Sequence, residues 1–430
     1  MKRNSVTSAR VRLHAFLCAL CVLCGADPAP HKEMEITGLT KDTAAFFANA
    51  HSKITTYKGA IYCTYLDSDR DIRVRKKGAD GIESDARVFG PVARDPWHMA
   101  PVLGIDGNGY VHITAGMHDA REWHYYISAA PGSIDRFTKQ EHGSPRCPPG
   151  WLITYPEFAH DNRGTLYLSS RQGTKNPGHL GASVARYDHT AGTWQSLGTD
   201  IDRWNYLIWF QKGPNEVRCY QKWDAQLHFD YANTLHLAWK VSAIGPKRNY
   251  NTGTHIMAAR LPDGASQWET VDRKPILDLP LTIKNASVVA TDFKRPELIL
   301  YGLGATTDGS PVVNYRYSLG DTPGGGDKGW IVKWTGKDWK RLRFPREIVI
   351  PTYLMSDNKG KLFTYGPGGS LAYLSRDDGE SWEVVTMPYD RGPAFSHSFD
   401  RQHFIATGNP RLAVFFDKAG VIEVWTIECP

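Results

Sequence analysis

The sequence predicts an all-β chain folded as a single β-propeller of seven blades, and three observations carry that prediction. A turn signature of Asp, two residues and Gly returns along the chain ahead of β-prone runs. The apolar runs are short and end at Gly, Asp, Asn or Pro, in a composition rich in Gly (40), Trp (14) and Tyr (20). Helical periodicity is hard to find outside a short stretch near Thr40–Ala50. The mature length would by itself argue for two or three domains, but repeat architectures break that rule.

The N-terminus reads as a secretory signal. Lys2, Arg3, Arg10 and Arg12 precede an apolar run from Ala15 to Cys24, and the chain turns polar at Asp27-Pro28, so cleavage after Cys24-Gly25-Ala26 is expected. The division is therefore a signal peptide over 1–26 and a catalytic propeller over 27–430. The apolar run is too short to span a bilayer, which takes about 20 residues. Secretion or a periplasmic location is expected ahead of lipid anchoring, because neither Cys21 nor Cys24 follows a clean Leu-small-small approach. Cleavage removes four of 51 basic side chains and none of 45 acidic ones, so the formal charge falls from +6 to +2. Nothing global then marks a nucleic-acid binder, and any pull on an anionic substrate must be local. Cys63, Cys147, Cys219 and Cys429 remain, enough for up to two disulfides in an oxidising compartment.

The turn signature stands at Asp106–Gly109, Asp161–Gly164, Asp357–Gly360 and Asp417–Gly420, with looser relatives at Asp230–Asn233 and Asp308-Gly309. Asp accepts backbone hydrogen bonds and Gly supplies a positive φ, so each copy marks a hairpin. Spacings of about 50 to 80 residues fit one blade per copy. Ser375-Arg-Asp-Asp-Gly-Glu-Ser-Trp382 adds an Asp-box hairpin, and the Gly-rich segment Thr322–Gly329 reads as a loop rather than a linker.

Hairpin geometry gathers the chemistry. Residues equidistant from an antiparallel turn face each other, about 5 Å apart at Cβ. His98 and His118 are equidistant from position 108, and Tyr155 and Arg171 from position 163. Two successive hairpins thus present a pair of capable side chains at their open ends, which in a propeller share one face. His118 also falls on the polar face of its strand by parity, with His112 and Thr114. A lone histidine in a β-protein is more often structural, and His112, His124, His142 and His160 are read that way. His236, after another turn mark, is read either as a contributor or as core.

At this point the residues resemble a known family. Asp95-Pro-Trp-His98, Gly104-Ile-Asp-Gly-Asn-Gly-Tyr-Val-His112, Gly116-Met-His118, Thr154-Tyr-Pro-Glu-Phe158 and Leu235-His-Leu-Ala-Trp239 are similar to the BNR-repeat propellers. These include ulvan lyases, rhamnose-glucuronate lyases and a neighbouring α-L-rhamnosidase group. The resemblance is densest over about 50–260. It implies a seven-bladed propeller and a cleft lined by two histidines, a tyrosine and an arginine, carried over onto His98, His118, Tyr155 and Arg171. His236, Tyr206 and Trp97 are the expected substrate-binding residues. The family's His-Asn pair is His98-Met99 here.

β-Elimination from a 4-linked uronate needs its carboxylate masked, its C5 proton removed and its C4 oxygen helped to leave. Arg171 suits the first task because a guanidinium grips a carboxylate bidentately. A histidine, or a tyrosine beside an arginine, suits the others. His118 with Tyr155 is the expected base and acid pair, and His98 the binding partner. The rivals are an α-L-rhamnosidase on the same sugars and a non-catalytic glycan-binding propeller whose Trp97, Trp123, Trp151, Trp204 and Trp209 stack on sugar. A sialidase lacks its set of three arginines here. No cofactor is required for catalysis. A structural calcium or zinc is conceivable from the Asp-rich turns and histidines, but no ligand spacing names a site. The expected partner is an acidic polysaccharide or oligosaccharide, with no nucleic acid and no membrane, bound by a monomer.

Overall fold

Seven four-stranded antiparallel sheets stand in a ring in the computed structural model, two of them carrying an extra short strand. The structure describes residues 27–39, 52–93, 101–140, 152–174, 178–201, 204–209, 217–218, 226–243, 254–291, 298–317, 328–343, 352–365, 370–392 and 396–429. The expected signal segment and the helical stretch near Thr40–Ala50 lie outside them.

Blade 1 runs from Ile54 to Phe89, blade 2 from Val102 to Gln140, and blade 3 from Leu152 to Ser196. Blade 4 runs from Gln226 to Thr291, blade 5 from Leu298 to Arg341, and blade 6 from Thr352 to Thr386. Blade 7 takes three strands from Ser396 to Glu428 and its outer strand, Ala29–Ile36, from the other end of the chain. Pairing Ala29 with Glu428 and Ile36 with Ile422 closes the ring within one sheet, so that opening it would unpair a whole strand.

Each seam between blades is filled by its own apolar cluster. Strand alternation makes this automatic, since successive residues point to the two neighbouring blades. In the second strand of blade 3, Leu166 and Leu168 pack toward blade 2 while Tyr167 packs toward blade 4. At about 1.5–3 kcal/mol for each large apolar side chain taken out of water, these seams hold the ring. The Asp-box is the hairpin it was read as: Ser375 Oγ accepts from Gly379 N–H at 2.8 Å, and Trp382 Nε1 donates to the Gly379 carbonyl. The Gly-rich Thr322–Gly329 segment is described only from Lys328, where the third strand of blade 5 begins.

Every inner strand runs toward its own first turn, which gives the ring two distinct ends. The turns share one end and touch across blades: Asn162 of blade 3 donates to the Asp230 carbonyl of blade 4, and Thr307 of blade 5 donates to Asp378 of blade 6. The opposite end, where inner strands begin and second strands finish, is the mouth.

At the turn end, blade 7 replaces the tight turn with the helix Arg401–Thr407, which the sequence does not lead one to expect. Its signals are local: Asp400 caps it by accepting from His403 N–H, and Gly408 at φ 70° ends it. The helix packs on the inner strands of blades 1 and 6. Arg401 reaches across the axis to the Leu227 carbonyl and Gln226 Oε1 of blade 4.

Cysteine chemistry is narrower than expected. Cys63 and Cys429 are free, buried thiols, and burial pushes Cys63 up to about 12. Two disulfides are therefore excluded; Cys147 and Cys219 lie outside the described residues.

Candidate active site

The mouth of blades 2 and 3 gathers three of the four expected catalytic residues. His118 lies just past the second strand of blade 2, on a segment that crosses to blade 3. There Ala120 exchanges both backbone hydrogen bonds with Ile153, and Met117 accepts from the Tyr155 N–H at 3.1 Å. The His118 and Tyr155 rings lie nearly parallel, 13° apart, with centroids 6.0 Å apart. The Arg171 guanidinium also meets the phenol ring, 4.7 Å from the Tyr155 centroid. A cation at that distance is attracted by the ring's quadrupole.

The pairing register corrects one step of the sequence-based expectation. Glu157 does face Ser169, as equidistance from the turn requires, but a bulge at Tyr155-Pro156 shifts the ladder so that Arg171 pairs with Thr154. Pro156 has no N–H for the ladder, and Tyr155 takes φ 53°, a left-handed conformation rare for a bulky residue. The bulge re-aims the tyrosine, so that it meets Arg171 through its ring rather than as a cross-strand neighbour.

Asp119 belongs to the same group, although the sequence pattern singles out only its neighbour His118. It also takes a left-handed φ, 51°. Its Oδ1 lies 3.7 Å from Arg171 Nη2, and Thr154 Oγ1 donates to that oxygen at 3.2 Å while accepting from the Asp119 N–H at 2.9 Å. Thr154 and Arg171 are 0% and 1% exposed, whereas His118, Asp119 and Tyr155 are each half-buried. Thr154 thus anchors the group, and Arg171 forms the floor of the mouth beneath three half-buried side chains. A carboxylate beside a motif histidine was the available signal.

The remaining expected residues fall elsewhere. His98 and Trp97 lie outside the described residues; the blade 2 ladder, Val102 to Thr114, has the register the His98–His118 pairing assumed. Tyr206 ends a short strand, Trp204–Tyr206, and its side chain is outside what the structure describes. His236 is not brought to the mouth. It is 1% exposed at the turn end of blade 4, with Nε2 3.0 Å from Asp230 Oδ2. His112 occupies the equivalent place in blade 2, 3.3 Å from Asp106 Oδ2. Both stand three residues past the left-handed turn residue, Asn233 or Gly109, so packing rather than substrate contact accounts for His236. His160 is likewise internal, its Nε2 accepting from Ile105 N–H, and burial lowers it to about 4.

Between mouth and turn end lies a narrow axial cavity, lined by Glu157, His160, His228, Phe399 and Arg401 among others. Burial raises the Glu157 carboxyl to about 7 against the opposing pull of Arg401. His228 donates to Asn358 Oδ1 at 2.7 Å and is held near 3, chiefly by burial. Among the described residues no group of three or more His, Cys, Asp and Glu side chains is disposed to hold a metal ion.

A closed seven-bladed ring with a bulged, cation-bearing mouth is the class of molecule the geometry defines. Residues 60–347 match the model of the BNR repeat-containing family, and the chain belongs to that family. Its fold is similar to an ulvan lyase of polysaccharide lyase family 25, bound to a GlcA(1-4)Rha3S fragment. The two share 14% identity at a TM-score of 0.68, over 92% of this chain and 95% of that one. A second polysaccharide lyase gives 12% identity at 0.65, over 94% and 100%. A virginiamycin B lyase from Staphylococcus aureus gives 10% at 0.50, over 93% and 99%. These likenesses establish the propeller. No curated protein sequence matches the chain.

Proposed function

We propose that this chain is a secreted polysaccharide lyase that cleaves a rhamnose–uronate glycan by β-elimination and leaves a 4,5-unsaturated uronate. The observation that carries the reading is the group at the mouth: an imidazole, a phenol and a guanidinium stacked within 6.0 Å, with a carboxylate steadying the guanidinium. Membership of the BNR-repeat family and the similarity to ulvan lyases support the choice of substrate class.

Arg171 meets the uronate carboxylate and offsets the charge that builds as the C5–H bond breaks. Preorganised electrostatic stabilisation of this kind usually supplies more of the rate enhancement than any other effect in such a site. His118 or Tyr155 takes the C5 proton. The C–H electrons form the C4–C5 double bond, the C4–O bond breaks, and the other member of the pair protonates the departing oxygen. His98 is the binding partner in this scheme. No step calls for a metal.

The test is the ultraviolet absorbance of the unsaturated uronate. Arg171→Ala is expected to slow its growth by about 10²–10³-fold, the usual effect of removing one charge-stabilising donor. Near-native growth in that variant would remove the assignment. Mass analysis of products from ulvan, rhamnose-glucuronate glycans and uronate-poor controls separates elimination from hydrolysis, because only elimination yields the unsaturated sugar. Release of free rhamnose without unsaturation would favour a rhamnosidase.

A further inference from the structure

Blade 5 repeats the phenol and guanidinium couple of blade 3. Arg171, Lys240 and Arg316 each stand seven residues past the left-handed residue of their own blade's first turn, Gly164 at φ 81°, Asn233 at 63° and Gly309 at 77°. Strand parity gives the three side chains the same direction, toward the following blade. Tyr167 shares Arg171's face and packs into the seam with blade 4, and Val312 shares Arg316's face and packs into the seam with blade 6. Lys240 alternates with Trp239 and Val241, which pack back toward blade 3. Blades 3, 4 and 5 therefore bring a basic side chain to equivalent positions near the mouth.

The tyrosines repeat as well. The inner strand of blade 5 bulges between Leu300 and Gly302, which pushes out Tyr301 as the blade 3 bulge pushes out Tyr155. Arg316 Nη1 donates to Tyr301 Oη at 3.3 Å. A third bulge, in blade 6, turns out Tyr353 at φ 66°, its ring edge-on to Tyr301 with centroids 6.4 Å apart. The Tyr353 phenol is raised by burial and further by both Tyr301 and Glu157, and Glu157 is two residues from Tyr155. The couples of blades 3 and 5 thus stand at equivalent positions around the ring, with Tyr353 adjoining that of blade 5. Tyr301, Arg316 and Tyr353 are all half-buried.

We infer that Arg316 and Tyr301 form a second anion-binding subsite on the mouth, taking the carboxylate or sulfate group of a further sugar unit of an acidic glycan whose reacting uronate lies at Arg171. This deepens the proposed function and rests on it. The bond to Tyr301 fixes the plane of the Arg316 guanidinium, and a planar fork of donors matches a carboxylate or sulfate where a lone ammonium does not. Bulges recur where a strand must re-aim a side chain at a ligand, and the bulged residue here is a tyrosine in blades 3, 5 and 6.

The test uses the full chain and its Arg316→Gln, Arg316→Lys and Arg171→Ala variants, each checked for folding by thermal unfolding. Calorimetric titration with glucuronate-containing disaccharides and tetrasaccharides, sulfated and chemically desulfated, gives affinities, and product absorbance gives kcat and KM. Arg316→Gln is expected to weaken tetrasaccharide binding and raise its KM about tenfold, with kcat and disaccharide affinity unchanged and Arg316→Lys in between. Loss confined to the sulfated arm identifies a sulfate ligand, and loss in both arms a carboxylate. Tetrasaccharide affinity and KM in Arg316→Gln equal to the parent would overturn the subsite while leaving the lyase reading intact. Weakened binding in Arg316→Gln, with no unsaturated product from any protein, would keep the subsite and end the lyase reading. Absence of binding by the parent chain ends both.

Discussion

At the turn end of blades 2 and 4, a histidine is sealed against the turn's own aspartate, His112 on Asp106 and His236 on Asp230, each side chain 3% exposed or less. At the mouth of blades 2 and 3, a histidine, a tyrosine, an arginine and an aspartate stand together, Tyr155 and Asp119 on left-handed backbone and three of the four half-buried. The residue types overlap, but the backbone around them does not. At the turn end the aspartate's other oxygen accepts backbone N–H groups, from Asn108 and Tyr110 in blade 2 and from Thr234 in blade 4. Those groups are consumed by holding the hairpin. At the mouth the ladder has stopped or slipped, and side chains are aimed at each other and at open space. Position along the hairpin, more than residue type, separates the sealed pairs from the clustered, half-open ones here.

The sharpest way to break this comparison is to exchange readouts. Arg171→Ala is expected to cost about 3–4 kcal/mol in activity, and a variant that keeps its turnover would show the mouth to be as structural as the turns. Asp230→Ala is expected to do the reverse. It strips the acceptor from Thr234 N–H and leaves His236 buried without its carboxylate, so unfolding stability should fall by roughly 2–4 kcal/mol with kcat unchanged. Denaturant unfolding monitored beside product absorbance checks both. Loss of kcat in Asp230→Ala at a temperature where it remains folded would restore His236 to the site.

Glu157 sits midway between the two ends and tests where the interior begins. Its carboxyl is raised to about 7 from an ordinary 4.5, so between those pH values the folded chain binds more protons than the unfolded one. Stability therefore falls as pH rises through that window, by roughly 3 kcal/mol from this group. Glu157→Gln should remove that slope and be the more stable protein at pH 8. His160, His228 and His397 act in the opposite sense: they are held near 4, 3 and 3, so unfolded histidines take up protons first and stability falls as pH drops below about 6.5. Thermal unfolding from pH 4 to 8 reads both limbs. Identical alkaline limbs in parent and variant would mean that Glu157 is wetted from the mouth.

The ring itself was legible because its signal is local and repeated. An Asp whose carboxylate closes a turn, a residue with positive φ and an alternating strand recur at blade spacing, and the copies in blades 2, 3, 4 and 6 fold as they read, while Asp417–Gly420 closes the second hairpin of blade 7. The Arg401–Thr407 helix escaped that reading because it replaces one expected turn in a β context, although Asp400 and Gly408 bracket it. Of the candidate residues, the structure brings His118, Tyr155 and Arg171 together, but in a geometry the sequence did not show. Counting from the turn assumes an unbroken ladder, and Pro156 breaks it just before Tyr155 would have met Arg171. His236 was singled out for following a turn mark and for its match to a family histidine, and being close to that mark places it at the far end from the mouth, where the alternative of core packing holds. Asp119 was passed over because Thr154, the partner that gives its carboxylate a place in the group, is 35 residues away on another blade.

The smallest expected effect falls on that aspartate and separates holding from reacting. Asp119 is joined to Thr154 by two hydrogen bonds and to Arg171 across 3.7 Å, and its side chain is 35% exposed, so its charge acts through a partly screened contact worth about 1 kcal/mol. Asp119→Asn keeps the backbone donor and an oxygen for the Thr154 hydroxyl while removing the charge. If Asp119 positions Arg171, the variant should raise KM for the uronate substrate about fivefold, and Asp119→Ala should cost more because the Thr154 link goes too. A changed pH profile of kcat, with KM untouched, would instead make Asp119 a participant in proton transfer. Unchanged kinetics in both variants would leave the buried Thr154–Arg171 ladder as sufficient support for the guanidinium, and the mouth would then need nothing from blade 2 beyond His118.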